Sequence, residues 1–195
     1  MPEAAYLLYA LGMTRSERSL PIWQRVVDLL AQASLDNVFA TQSGVFAYVD
    51  AVCSGAERLA SPAAILLLEK LQSYPVFRGH HLPRGMQADY LPERVAYLEI
   101  VIARALARCG SPRGALTLIH YLGDVRKFYA RHAHSELVII SGQDFGFDAP
   151  AWGQWLESAG EQLRPVPWNA PLEAVTAWNQ DIFFDPLPDK PELGR

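Results

Sequence analysis

One pattern recurs three times along the chain, and it constrains the fold more than any other feature. Ser16-Glu17-Arg18-Ser19-Leu20-Pro21-Ile22-Trp23 has the same physical layout as Ser61-Pro62-Ala63-Ala64-Ile65-Leu66-Leu67-Leu68. Ser111-Pro112-Arg113-Gly114-Ala115-Leu116-Thr117-Leu118 follows it again. The three serines put the starts 45 and 50 residues apart. Self-similarity at such a period points to stacked helical units, none of which can bury its apolar face alone.

Each position in the pattern has a physical role. Serine is a favoured N-cap, and proline suits the first helical position because its missing N–H would go unpaired there anyway. Three residues after the serine stand Ser19, Ala64 and Gly114, small enough for two helix backbones to approach. Offsets four, seven and ten hold Leu20, Trp23 and Val26, then Ile65, Leu68 and Leu71, then Ala115, Leu118 and Tyr121. That spacing makes one apolar stripe on a helix. Offset nine holds Arg25, Lys70 and His120, which are expected to face water.

The 195 residues suffice for one large domain or a short array. Half are hydrophobic and 19% charged, the balance of a folded chain. A net charge of −4 argues against nucleic-acid binding, which needs a basic face, and gives no reason for attachment to an anionic membrane. No apolar run reaches the ~18 residues of a membrane span. No basic segment followed by a long apolar core opens the chain, so no signal peptide is expected. Cys53 and Cys109 lie in apolar helical stretches and are expected as buried, reduced thiols, which favours a cytoplasmic setting.

Periodicity predicts helices over about 3–12, 19–33, 45–59, 62–73, 92–109, 112–122, 126–140 and 149–158, with a loop at 34–44. Pro75, Gly79, Pro83, Gly85 and Pro92 interrupt the array between 74 and 91. A loop of about 17 residues is long for a compact domain, and such loops often carry function. Beyond residue 160 the chain is rich in proline, and Leu172, Val175, Trp178 and Ile182 predict one more short helix.

Two stretches support a family resemblance. Ala103-Arg104-Ala105-Leu106-Ala107-Arg108-Cys109-Gly110-Ser111-Pro112-Arg113-Gly114-Ala115-Leu116 resembles a bacterial HEAT repeat, and so does Leu122-Gly123-Asp124-Val125-Arg126 with Ala130 and Ala133. Ile140 to Asp148, with Trp152 and Trp155, is similar to the segment that ends many such arrays. The resemblance covers about residues 5–158, most closely 92–158. It implies an all-α fold: a short, right-handed HEAT-like solenoid of three to four helix pairs over 1–160, with 161–195 as an irregular Pro/Trp-rich cap and tail. The Trp-bearing tail is expected to cover the apolar end of the last unit. The first unit looks truncated, which predicts that the chain was cut from a longer protein.

The resemblance implies a scaffold whose partner is a protein or another domain of the same polypeptide. An alternative is a C-terminal accessory domain of a larger enzyme, such as an FAD-dependent oxidoreductase; a lyase-like protein acting on a bilin is a third reading. The residues themselves offer no Gly-x-Ser-x-Gly elbow, no phosphate-binding glycine loop and no cysteine in a reactive setting. No catalytic, cofactor-binding or metal-ligating residue is therefore assigned. His80 and His81 are adjacent and point apart, which does not suit one metal ion. His132 and Glu136, four apart on one helix, are expected to pair. The Gly142 to Gly146 stretch is expected as a turn with Phe145 and Phe147 plugging the end of the core. Phe77, Arg78, His80, His81, Arg84 and Met86 are the candidate partner-contacting residues, because aromatic, Arg and Met side chains are enriched at interfaces.

Overall fold

A computed structural model describes residues 3–40, 43–83, 93–159 and 163–169. These residues are all-helical, with no strand among them. The helices are α1 (Glu3–Met13), α2 (Leu20–Leu29), α3 (Leu35–Phe39), α4 (Val45–Leu59), α5 (Ile65–Ser73), α6 (Glu93–Arg108), α7 (Pro112–Tyr121), α8 (Lys127–Ser141) and α9 (Ala149–Ala159). Helix α4 packs between α1 and α6, and α6 in turn packs on α8. On the other side α2 packs on α5 and α7 on α9, while α5 and α7 both rest on α6.

The recurring pattern maps onto α2, α5 and α7 and the turns that precede them. Ser19, Ala64 and Gly114 are all buried, and Arg25, Lys70 and His120 all face solvent. Gly114 shows why the small position matters. A Cβ there would stand 2.4 Å from both the Ala103 carbonyl and the Ala107 nitrogen, so only hydrogen lets α7 cross α6 this closely. Ser16 and Ser61 cap as expected, accepting from the amides of Arg18 and Ala63 at 3.3 and 3.2 Å. Ser111 does not; it is buried without a cap bond, and Pro112 alone marks that helix start.

Helix α6 is the axis of the core. Leu98, Val101, Ile102 and Ala105 face the cluster built by α1, α2, α4 and α5, with Trp23 and Leu68 at its centre. Ile100, Ala103 and Ala107 face the cluster of α7, α8 and α9, with Tyr121 and Trp152. A helix buried on both sides carries apolar residues on both faces, and the charged Glu99, Arg104 and Arg108 that α6 also buries need partners.

Two differences from expectation are local. The 34–44 stretch contains α3, because Ser34 and Asn37 form a reciprocal capping box and Val38 turns into the core. At the other end, Phe145 packs edge-on against Trp152 with ring centres 4.9 Å apart, as a plug should. Phe147 does not; it is exposed and leans on His134. The described part of the tail, 163–169, starts with Leu163 in the cluster of α7, α8 and α9 and runs past Gly110, Arg108 and Glu57 to Arg15 in the α1–α2 turn. The helix expected around Leu172 to Ile182 lies outside the described residues.

Candidate functional site

Five buried side chains from three helices form a charged ladder. Arg104 and Arg108 are one turn apart on α6, and His132 and Glu136 are one turn apart on α8, so each pair shares a helix face. Arg104 Nε donates to Glu57 Oε1 of α4 at 2.6 Å, and its Nη1 lies 3.1 Å from His132 Nε2. Arg108 Nε and Nη2 lie 2.9 and 2.8 Å from Glu136 Oε2. His132 and Glu136 thus reach across to α6, where pairing within α8 was expected.

Burial, reinforced by the two guanidinium groups, pushes the His132 imidazole well below its ordinary range. The ring is neutral, so Nε2 accepts from Arg104. Burial raises the Glu57 carboxyl, opposed by Arg104. Buried ion pairs of this kind contribute modest net stability but are costly to break on one side.

Residues 163–169 cross this ladder as an extended strap. The amides of Leu163, Val166 and Trp168 donate to the carbonyls of Gly110 (3.0 Å), Arg108 (2.9 Å) and Glu57 (2.8 Å). Arg108 Nη1 returns a bond to the Val166 carbonyl at 3.3 Å. The Trp168 ring stacks over both arginines, its centre 5.0 Å from Arg104 Cζ and 4.7 Å from Arg108 Cζ. Desolvated cation–π contacts of this kind contribute about 2 kcal/mol. At Asn169 the strap reaches the α1–α2 turn, where Arg15 Nη1 donates to its Oδ1 at 2.8 Å.

Local sequence explains the strap. Pro165 and Pro167 alternate with the donors Val166 and Trp168, so no amide needed for pairing is lost and φ is held extended. Gly110 ends α6 at φ +97°, and a Cβ there would lie 2.6 Å from the Leu163 carbonyl. Glycine is what lets the strap begin against the backbone.

The candidate contact residues in the 74–91 loop have a different surrounding. Phe77 has no exposure and belongs to the core. Arg78 is exposed and borders a cleft of about 260 Å³ with Glu69 and Arg113. His80 and His81 are half-buried. Their backbone is held by two carboxylates. Glu99 accepts from the amides of Gly79 (2.8 Å) and His80 (2.7 Å) and from Tyr121 Oη (2.7 Å). Asp124 accepts from the Leu82 amide at 2.9 Å, and Arg126 Nη2 donates to the His80 carbonyl at 2.6 Å. Burial would raise Asp124, but the bonds from Arg126 and Leu82 outweigh it and lower its pKa. Burial lowers His81. Arg84 and Met86 lie outside the described residues.

The structure therefore places its densest polar chemistry at Glu57, Arg104, Arg108, Glu136 and Trp168; from the sequence Glu136 was expected only as a partner of His132 and Trp168 only as part of the cap, and the three others were not expected at a site. The available signal was the matched spacing of Arg104/Arg108 with His132/Glu136. Cys53 and Cys109 are free and buried, and burial raises the Cys109 thiol to about 12. Among the described residues no three His, Cys, Asp or Glu side chains are grouped to hold a metal ion, and no helix is long and apolar enough to cross a membrane. Comparison with known proteins finds no matching family model, no matching curated protein and no matching solved structure.

Proposed function

We propose that the chain is a HEAT-like, right-handed array of helix pairs acting as a non-catalytic protein-interaction module, and that the ladder face crossed by residues 163–169 is its recognition surface. The packing order of α1, α4, α6 and α8 in one row, with α2, α5 and α7 against it and α9 on α7, supports the array. One observation carries the function: an extended segment pairs its main chain with α4 and α6 and seats a tryptophan on two arginines. Backbone pairing supplies affinity that does not depend on side chains, and the aromatic seat supplies selectivity. The surface reads an extended, proline-flanked tryptophan segment of a partner protein or neighbouring domain. In the free chain its own strap fills that seat.

The test is competition. A labelled peptide of strap sequence, residues 161–170, is titrated by fluorescence anisotropy against the full chain and against Trp168→Ala. The variant, whose own anchor is gone, is expected to bind the peptide at least about tenfold more tightly than the wild type. A peptide with alanine in place of that tryptophan is expected to lose the binding. No binding to a folded Trp168→Ala chain would overturn the reading.

A further inference from the structure

A second polar cluster continues the ladder face along α4 and α6. Asp50 of α4 accepts hydrogen bonds from two neighbouring helices: from Tyr9 Oη of α1 on Oδ2, and from Tyr97 Oη of α6 on Oδ1 at 3.4 Å. The Tyr97 ring stacks on Phe46 of α4, with ring centres 5.5 Å apart and planes 16° from parallel. All four side chains are half-buried, so each keeps part of its surface open. Asp50 stands seven residues before Glu57, and Tyr97 seven before Arg104. Seven residues are two helical turns, so the cluster shares the ladder's face and lies roughly 10 Å further along it.

The charge of Asp50 has no counterpart. On the same face Glu57 and Glu136 each meet a guanidinium. Among the described residues no Lys, Arg or His pairs with Asp50; its two partners are hydroxyls. Burial, reinforced by the Asp50 charge, pushes both tyrosines above their ordinary range, so they stay protonated and act as donors to it. A carboxylate drawn partly out of water is best completed by a cation. Aromatic rings beside it add their own attraction for that cation. The ring pair already draws one: Arg94 holds Cζ 5.2 Å from the Phe46 ring centre, with its Nη1 committed to the Phe39 carbonyl at 3.2 Å.

We propose that Asp50, flanked by Tyr9, Tyr97 and Phe46, is a seat for a cationic side chain, the lysine or arginine of the partner segment that docks its tryptophan on the ladder. The strap meets α6 first, then α4 and the α1–α2 turn, so the seat's α1 and α4 residues lie on the side where it ends. Three extended residues span about 10 Å, which puts the basic residue about three positions after the tryptophan. The inference rests on the ladder face as the recognition surface, and its test separates the two.

Butylammonium, the end of a lysine side chain as a free molecule, is titrated into the full chain and followed by amide chemical shifts. Saturable shifts around Asp50 and Tyr97 are expected, at least about tenfold weaker binding in Asp50→Asn, and no such shifts with neutral butanol. Tyr9→Phe keeps the carboxylate and removes one donor, so it is expected to bind at least as tightly as the wild type. Equal shifts with butanol, or equal loss in both variants, would overturn the seat. Strap peptides of residues 161–172 carrying Ala170→Lys, Pro171→Lys or Leu172→Lys are then titrated against Trp168→Ala. At least one is expected to bind about fivefold more tightly than the unchanged peptide and to lose that gain in Trp168→Ala/Asp50→Asn. Peptide binding with no gain from any lysine would overturn the assignment to the partner segment. Butylammonium binding with no peptide binding at all would support the seat and remove the ladder reading.

Discussion

Arg126 and Asp124 grip each other in a two-bonded fork: Nε donates to Oδ1 at 2.8 Å and Nη2 to Oδ2 at 2.7 Å. Two residues apart, they make one rigid corner between α7 and α8. The same corner holds the 78–82 segment, through the Leu82 amide on Asp124 and the His80 carbonyl on Arg126. Asp124→Ala leaves a buried guanidinium without its carboxylate and is expected to cost about 2–3 kcal/mol in urea unfolding. Hydrogen exchange should rise at Leu82 and Val125 before it rises in α8. Equal loss of protection in α8 would show that the corner does not act locally.

Gly114→Ala forces a methyl group into backbone atoms 2.4 Å away and is expected to destabilise the fold by at least about 2 kcal/mol. Gly153→Ala is the control. That position in α9 is open, and the same added methyl should raise stability by about 0.5–1 kcal/mol through helix propensity. Denaturant midpoints moving in the same direction for both would contradict the close α6–α7 crossing.

Arg108→Met leaves Glu136 buried without its cation and is expected to cost about 3–5 kcal/mol. Arg108→Met combined with Glu136→Leu removes both charges and should recover most of that loss. The double variant is also expected to loosen the strap, since Arg108 both bonds Val166 and underlies Trp168. Limited proteolysis between 159 and 169, faster in the double variant at equal global stability, is the readout.

His132 gives the fold a pH dependence with a definite sign. Its folded-state pKa is depressed by burial and by Arg104 and Arg108, while the unfolded imidazole titrates near ~6.5. Below that pH the unfolded chain takes up a proton that the folded chain refuses. Stability contributed by the neutral ring is complete above ~7.5 and falls by up to about 1.4 kcal/mol per pH unit below ~6.5. His132→Gln keeps an acceptor for Arg104 but cannot titrate. Its melting temperature should therefore drop less than that of the wild type between pH 7.5 and 5.5. Parallel curves would remove His132 from the account, with Glu57, Glu136 and the two arginines as the remaining charges at the ladder.

What could be read from residues alone follows a physical line. The stripes led by Trp23, Leu68 and Leu118, the small positions Ser19, Ala64 and Gly114, and the bounds of α4 are local properties of a helix face, and they were legible. The ladder was not. Arg104, Arg108 and Glu57 have the composition of a solvated surface, and burial of a charge depends on a partner that periodicity does not see. The strap was missed for a related reason: an extended, proline-rich stretch gives no period, so its course depends on carbonyls supplied by distant helices. The Asp-Val-Arg element was noticed as a repeat signature. Its work, holding the 78–82 backbone, depends on Leu82 and His80, more than forty residues earlier in the chain.

Where packed helices exchange contacts mainly between chain neighbours, either end can melt while the middle stays folded. The Trp168–Glu57 bond changes that topology. It joins the chain's late residues to α4 and closes a loop of more than a hundred residues, whose closure entropy grows only slowly with length. The consequence is kinetic as well as thermodynamic. Contacts this distant in sequence are slower to form than those within the helices, and the strap, bonded to Gly110, Arg108, Glu57 and Arg15, ties melting of the α1–α2 turn to melting of the α6 C-terminus.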